Sequence, residues 1–217
     1  MTQRSIRLLK VLLFLACLIP LGKLAFETFG LAGSGLGANP IEELLHRLGK
    51  WGLNFLLITL AVTPLRRLTG KYWLLHFRRM LGLFAFFYLL VHFLVYAGLD
   101  QRFDLQLILE DIVERPYITV GFTALMLLLP LAATSTNGMM KRLGRRWQKL
   151  HRLVYVIAIL GVWHFYWQVK QDILEPLIYI GILAVLLCYR LLTRRTGKRT
   201  GTRVVKRSEN DRFAHPR

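Results

Sequence analysis

Apolar residues in this chain fall into six long blocks, at about residues 8–26, 48–65, 80–98, 117–134, 152–169 and 176–192, separated by short polar segments. A helix needs about 17–25 largely apolar residues to cross a hydrocarbon layer of about 30 Å. The pattern therefore predicts an all-α integral membrane protein, a six-transmembrane-helix bundle over residues 1–192. The segment 193–217 is polar, basic and without apolar periodicity, and reads as a disordered tail drawn to anionic headgroups.

Local signals refine the ends. Asn39-Pro40 followed by Glu42 and Glu43 reads as an N-cap, a first-turn proline and acids at the positive end of a helix, so the second helix should start near Pro40. Pro116 and Pro176 stand before the fourth and sixth spans as helix starters, and Pro130 should bend the fourth. The first block follows Arg4, Arg7 and Lys10, but no small-residue cleavage site closes it before Glu27. It reads as a retained span.

Composition agrees: 54% of residues are apolar and the mean hydropathy is +0.42. A net charge of +18 would suit a nucleic-acid binder, yet its placement excludes one. Of 30 basic residues, 24 fall in the N-terminal segment, the 66–79 and 134–152 loops and the chain from Arg190, while 10 of 12 acids fall in the alternate loops. By the positive-inside rule both termini are cytoplasmic and the acidic 99–116 loop faces outward. Cys17 and Cys188 lie inside apolar blocks, and no CxxCH motif for covalent haem occurs.

The candidate chemistry lies in the histidines. His76 and His215 sit in basic, solvated segments, and His46 sits at a membrane rim where water suffices as a partner. His92 and His164 instead lie within apolar stretches, where an ionisable side chain is a functional hypothesis by default. Both spans run in the same direction. Arg79 to His92 is 13 residues, as is His151 to His164, which puts each imidazole about 20 Å above the inner rim. Two neutral imidazoles at one depth are what bis-histidine ligation of a haem iron requires. Gly161, one turn before His164, would let a porphyrin approach its helix. The alternative is a pair of histidines each hydrogen-bonded to a neighbouring helix.

His151 stands at the inner end of the fifth span, and superposing His92 on His164 puts Arg79 opposite it. Arg78-Arg79-Met80-Leu81 and Leu150-His151-Arg152-Leu153 hint at a duplicated helix pair. A second haem there has one histidine only, and 13 residues of ideal helix turn a side chain by roughly 220°, so a bend or π-bulge would have to compensate. His151 with Arg78 or Arg79 could instead hold a haem propionate or a flavin phosphate.

Further stretches carry a resemblance: Gly35-Leu36-Gly37-Ala38-Asn39-Pro40 with His46, Thr63-Pro64-Leu65, Arg78 to Gly82, Arg115-Pro116-Tyr117, Thr134-Ser135-Thr136, Leu143 to His151, and Pro176 to Tyr179. With His92 and His164 they resemble the MsrQ (YedZ) family, the haem-binding membrane subunits of bacterial periplasmic protein-methionine-sulfoxide reductase systems, within the ferric-reductase-like transmembrane superfamily. The resemblance covers about residues 5–192. It implies an electron-transfer subunit of the inner membrane carrying haem b and FMN, with His92, His151 and His164 at the haem-associated positions. The donor would be a cytoplasmic flavin reductase or the quinone pool. The acceptor would be a periplasmic molybdopterin subunit, which does the chemistry on oxidised methionine. Arg79 departs from the superfamily's four-histidine pattern and leaves haem number open, and no glycine fingerprint marks a flavin site. Two rivals remain at this level: a quinone- or metal-reducing membrane cytochrome, and a non-redox transporter. The spans' lack of an intramembrane Asp or Glu speaks against the transporter.

Overall fold

Asn39 and Pro40 open the second helix as the sequence predicts: the Asn39 side chain accepts from the Glu42 N–H, and Pro40 is the first helical residue. The computed structural model describes the backbone of residues 2–30, 36–169 and 173–213, and side chains within these as far as residue 193. Among the described residues there are nine α-helices and no strand. They are α1 (Gln3–Thr28), α2 (Pro40–Thr69), α3 (Leu75–Val95), α4 (Leu105–Glu114), α5 (Pro116–Ala133), α6 (Asn137–Leu143), α7 (Arg145–Leu150), α8 (Leu153–Gln168) and α9 (Leu174–Phe213). Six helical segments are long and apolar enough to cross a membrane, including 20 residues of α9 at Leu174–Thr193.

The bundle is built from two close pairs, α2 with α3 and α5 with α8, while α9 packs on α2 and α8. Leu48, Leu56, Tyr88, Ile157 and Ala158 lie at its centre, almost wholly buried. Lipid offers no hydrophobic drive for helices to associate, so close fit must supply it. Gly52 gives one such fit, since a Cβ there would come within 2.6 Å of Leu89 Cγ.

Helix α1 packs more lightly and is held at one polar point. Pro20 interrupts its hydrogen-bond ladder. The Tyr88 hydroxyl enters that gap, donating to the Cys17 carbonyl at 2.7 Å and accepting from the Leu21 N–H at 3.1 Å.

Elements between the spans are more ordered than the sequence suggests. The 99–116 loop contains α4, capped by Asp104, whose side chain accepts from the N–H groups of Gln106 and Leu107. A π-helical turn, Tyr96–Asp100, follows α3. It lies beyond His92, and α3 is unbroken α-helix between Arg79 and His92, whereas the chain turns at His151 and Arg152 between α7 and α8. Helix α9 continues to Phe213, where the sequence predicts an aperiodic tail; extending a formed helix needs no new nucleus. His215 lies outside the described residues.

Charge separates the two ends of the bundle. At the α4 end, Arg47 pairs with Glu27 and Glu43, Lys50 with Glu175 at 2.8 Å, and Arg115 with Asp111 at 3.0 Å. At the opposite end, called here the basic end, no carboxylate stands among the described side chains. The sequence has no Asp or Glu at 44–99 or 115–171.

Candidate functional site

His92 and His164 occupy corresponding places, three residues before the end of α3 and four before the end of α8. The structure brings them together. Their ring centres are 6.3 Å apart and their planes cross at 78°. Both line a cavity of about 820 Å³ bounded by α2, α3, α5 and α8 at the α4 end, a size ordinary for a cofactor pocket.

Each imidazole is fixed in the same way. Nδ1 of His92 donates to the Leu45 carbonyl at 2.9 Å, and Nδ1 of His164 donates to the Tyr117 carbonyl at 2.7 Å. A carbonyl oxygen only accepts, so Nδ1 must carry the proton and Nε2 of the neutral ring keeps its lone pair. This is the arrangement of a metal-ligating histidine whose second nitrogen is held by an outer partner.

One turn beyond each carbonyl lies a glycine. A Cβ at Gly49 would stand 3.3 Å from His92 Nδ1, and one at Gly121 would stand 2.8 Å from His164 Nδ1. The rings therefore lie flush against the backbones of α2 and α5; a methyl at Gly121 would displace its ring, and one at Gly49 would press on His92 more lightly. Gly161 also lines the cavity, and its missing Cβ leaves that wall bare apart from an ordinary contact with Leu53.

The remaining lining is mostly apolar, including Leu53, Leu56, Leu89, Phe122, Leu125 and Ile157. Polar groups gather on α2 and α8: His46 Nε2 meets the Gln168 amide at 3.4 Å, and Lys50 lies one turn from His46. Tyr96 also lines the cavity and donates to Asp111 at 2.9 Å, which ties the π-turn to α4.

Two imidazoles sharing one metal ion through bonds of about 2 Å stand with ring centres roughly 6 Å apart. The pair here has that spacing, free Nε2 lone pairs, and an apolar slot around it. The site fits a planar cofactor with a central metal. Among the described residues no group of three or more His, Cys, Asp or Glu is placed to hold a bare metal ion.

The other residues singled out in the sequence lie at the basic end. His151 stacks on Trp147 with ring centres 3.9 Å apart, donates from Nδ1 to the Trp147 carbonyl, and has Nε2 3.5 Å from Ser135 Oγ. Arg79 donates to Asn137 Oδ1 and Arg78 is partly buried beside it. None of the three lines the cavity. Sequence reading missed Gly49, Gly121 and the two carbonyls, and left His46 at the rim. The interval was the available signal: 47 residues separate Leu45 from His92 and Tyr117 from His164.

A family model described as "Ferric reductase like transmembrane component" matches residues 48–162. A protein of Xanthomonas oryzae pv. oryzae (strain MAFF 311018), named as the protein-methionine-sulfoxide reductase heme-binding subunit MsrQ, is 51% identical over 205 residues, covering 93% of this chain and 94% of its own. A protein of the same name from Herminiimonas arsenicoxydans is 54% identical over 190 residues, 86% of each chain. The chain belongs to the MsrQ family. The matched region of the ferric-reductase-like model begins at Leu48 and ends at Val162, so it takes in most of α2, all of α3 and α5, and most of α8. The two MsrQ relatives match 93% and 86% of the chain.

Proposed function

We propose that this chain is a b-type cytochrome of the bacterial inner membrane. In this reading it holds haem b between His92 and His164 and passes electrons to a protein-methionine-sulfoxide reductase. The observation that carries the reading is the pair of imidazoles 6.3 Å apart, each with its Nδ1 proton committed to a main-chain oxygen. Bound haem supplies a one-electron centre whose potential depends on its axial ligands, their hydrogen bonds and burial. The chain's own residues set those conditions. Leu45 and Tyr117 carbonyls orient the rings and raise their basicity. Leu53, Leu56, Phe122 and Leu125 keep water from the slot, and His46, Lys50 and Gln168 suit the carboxylates of a porphyrin edge.

Both termini and the basic end face the cytoplasm in this reading, which the distribution of Lys and Arg supports. The α4 end then faces the periplasm, where a molybdopterin-containing catalytic subunit of the reductase would dock and repair oxidised methionine. The donor is a cytoplasmic flavin reductase or a quinol. FMN rests on the family resemblance alone, with Arg78, Arg79 and His151 supplying groups suited to its phosphate.

Purified protein should display a Soret band and a sharp α-band on reduction; a colourless preparation with full helicity would end the cytochrome reading. In proteoliposomes, neutralising Lys141, Arg142, Arg145, Arg146, Lys149 and Arg152 should slow reduction by the flavin reductase and leave reoxidation by the periplasmic subunit unchanged. Equal reduction rates in both proteins would remove the assigned donor face.

A further inference from the structure

The histidine clamp is symmetric, but the walls on either side of it are not. Leu45 and Gly49 of α2 flank the His92 ring, and Tyr117 and Gly121 of α5, at an interval of 72 residues, flank the His164 ring in the same way. His46 and Lys50 alternate with Leu45 and Gly49 along the same turns of α2 and line the cavity. At the same interval α5 carries Ile118 and Phe122, which also line it.

The facing helices extend the contrast. His46 Nε2 meets the Gln168 amide of α8 at 3.4 Å, whereas Phe122 packs on Phe93 of α3 with ring centres 5.8 Å apart. Tyr96, at the position matching Gln168, gives its hydroxyl proton to Asp111, which does not line the cavity. The α2–α8 side is therefore rich in donors, and the α5–α3 side is apolar and aromatic.

Charge points the same way. Lys50 is the only lysine or arginine lining the cavity among the described residues. Its ammonium lies 2.8 and 2.9 Å from the two Glu175 oxygens at the start of α9. Glu175 does not itself line the cavity, so the pair steadies Lys50 at the wall. An ammonium has three N–H donors, and two carboxylate oxygens leave at least one. Of the two carboxylates in the lining, Asp100 follows α3 and repels anions from that side. Glu42 lies two turns from Lys50 and accepts from the Asn39 amide at 2.8 Å.

A porphyrin of the b type has the matching asymmetry, with two carboxylates on one edge and apolar groups on the opposite edge. Two axial imidazoles fix its plane but not the direction of that edge. A carboxylate among Ile118, Phe122 and Phe93 would be buried without a donor, which is costly; at Lys50 it gains a charge-assisted hydrogen bond. We propose that Lys50 anchors one porphyrin carboxylate, so that the porphyrin enters one way round with its carboxylate edge between α2 and α8. This rests on the haem site proposed for His92 and His164 and adds the residue that orients the cofactor.

Full-length protein made without haem would be titrated in detergent with haemin and with haemin dimethyl ester, whose carboxylates are capped, and followed at the Soret band. The wild type should bind haemin about tenfold more tightly than the ester. Lys50→Met should weaken haemin about tenfold and leave the ester unchanged, erasing the preference, and Lys50→Arg should restore it. Glu175→Gln breaks the tie to α9 but keeps the Lys50 charge, and should retain the preference. If Glu175→Gln erases it as fully as Lys50→Met, Lys50 is only a tie to α9 and the proposal fails. An undiminished preference in Lys50→Met would equally overturn it. Equal binding of both haemins by the wild type, with a bis-histidine spectrum, would overturn the orientation and leave the cytochrome reading standing. Binding of neither would overturn both.

Discussion

Helices α2 and α3 match α5 and α8 at a shift of 72 residues: Leu45 answers to Tyr117, Gly49 to Gly121, and His92 to His164. At the α4 end the two pairs are near copies, with carbonyl, glycine and imidazole in the same order. Elsewhere they diverge. Gly52 and Leu89 of the first pair become Ala124 and Gly161 of the second, so bulk that fills the first pair is withdrawn from the cavity wall in the second. At the basic end Arg79 stands where the second pair has His151, and the two touch different groups, Asn137 and Ser135. The repeat is kept where both halves face the shared cavity and relaxed away from it.

Breaking the repeat at its histidines should have the largest effect. His92→Ala and His164→Ala should each abolish the reduced α-band of the purified protein, and a full band in both would refute the pair as ligands. Next come the glycines, which sharpen the comparison because their clearances differ. Gly121→Ala puts a methyl 2.8 Å from His164 Nδ1, inside contact distance, whereas Gly49→Ala leaves 3.3 Å at His92. Pyridine haemochrome assays should find most haem lost from Gly121→Ala and most retained by Gly49→Ala.

Outside the repeat, Tyr88→Phe removes both hydrogen bonds that pin α1 at its Pro20 gap. It should lower stability by about 1 kcal/mol, read by thermal melting in detergent, with haem content intact. The smallest effect on the clamp is expected from His151→Ala. Potentiometric titration should find the contribution of the His92–His164 pair unmoved, since His151 does not line its cavity. A shifted potential would mean that the basic end takes part in the site.

Much of this was legible in the chain. Spans declare themselves because lipid forces backbone polar groups to pair internally, and His92 and His164 stand out because apolar stretches rarely carry such groups. Asn39 and Pro40 marked the start of α2 by their own chemistry. Helix α4 escaped notice because its acids suggested an outer loop, although its Leu, Ile and Val residues other than Leu107 fall on one side. Gly49 and Gly121 were hidden for another reason: a helix glycine acquires meaning only from what crosses it. His46 needed the position of Gln168, 122 residues away, to be drawn towards the cavity.

The groups that hold the two rings are main-chain oxygens, those of Leu45 and Tyr117. No codon change can delete them. A substitution at 45 or 117 changes what the side chain touches, as the Tyr117 ring touches His164, but leaves the acceptor that fixes the imidazole tautomer in the chain. A slide of the helix, or a side chain at Gly121 that pushes the ring away, would undo it.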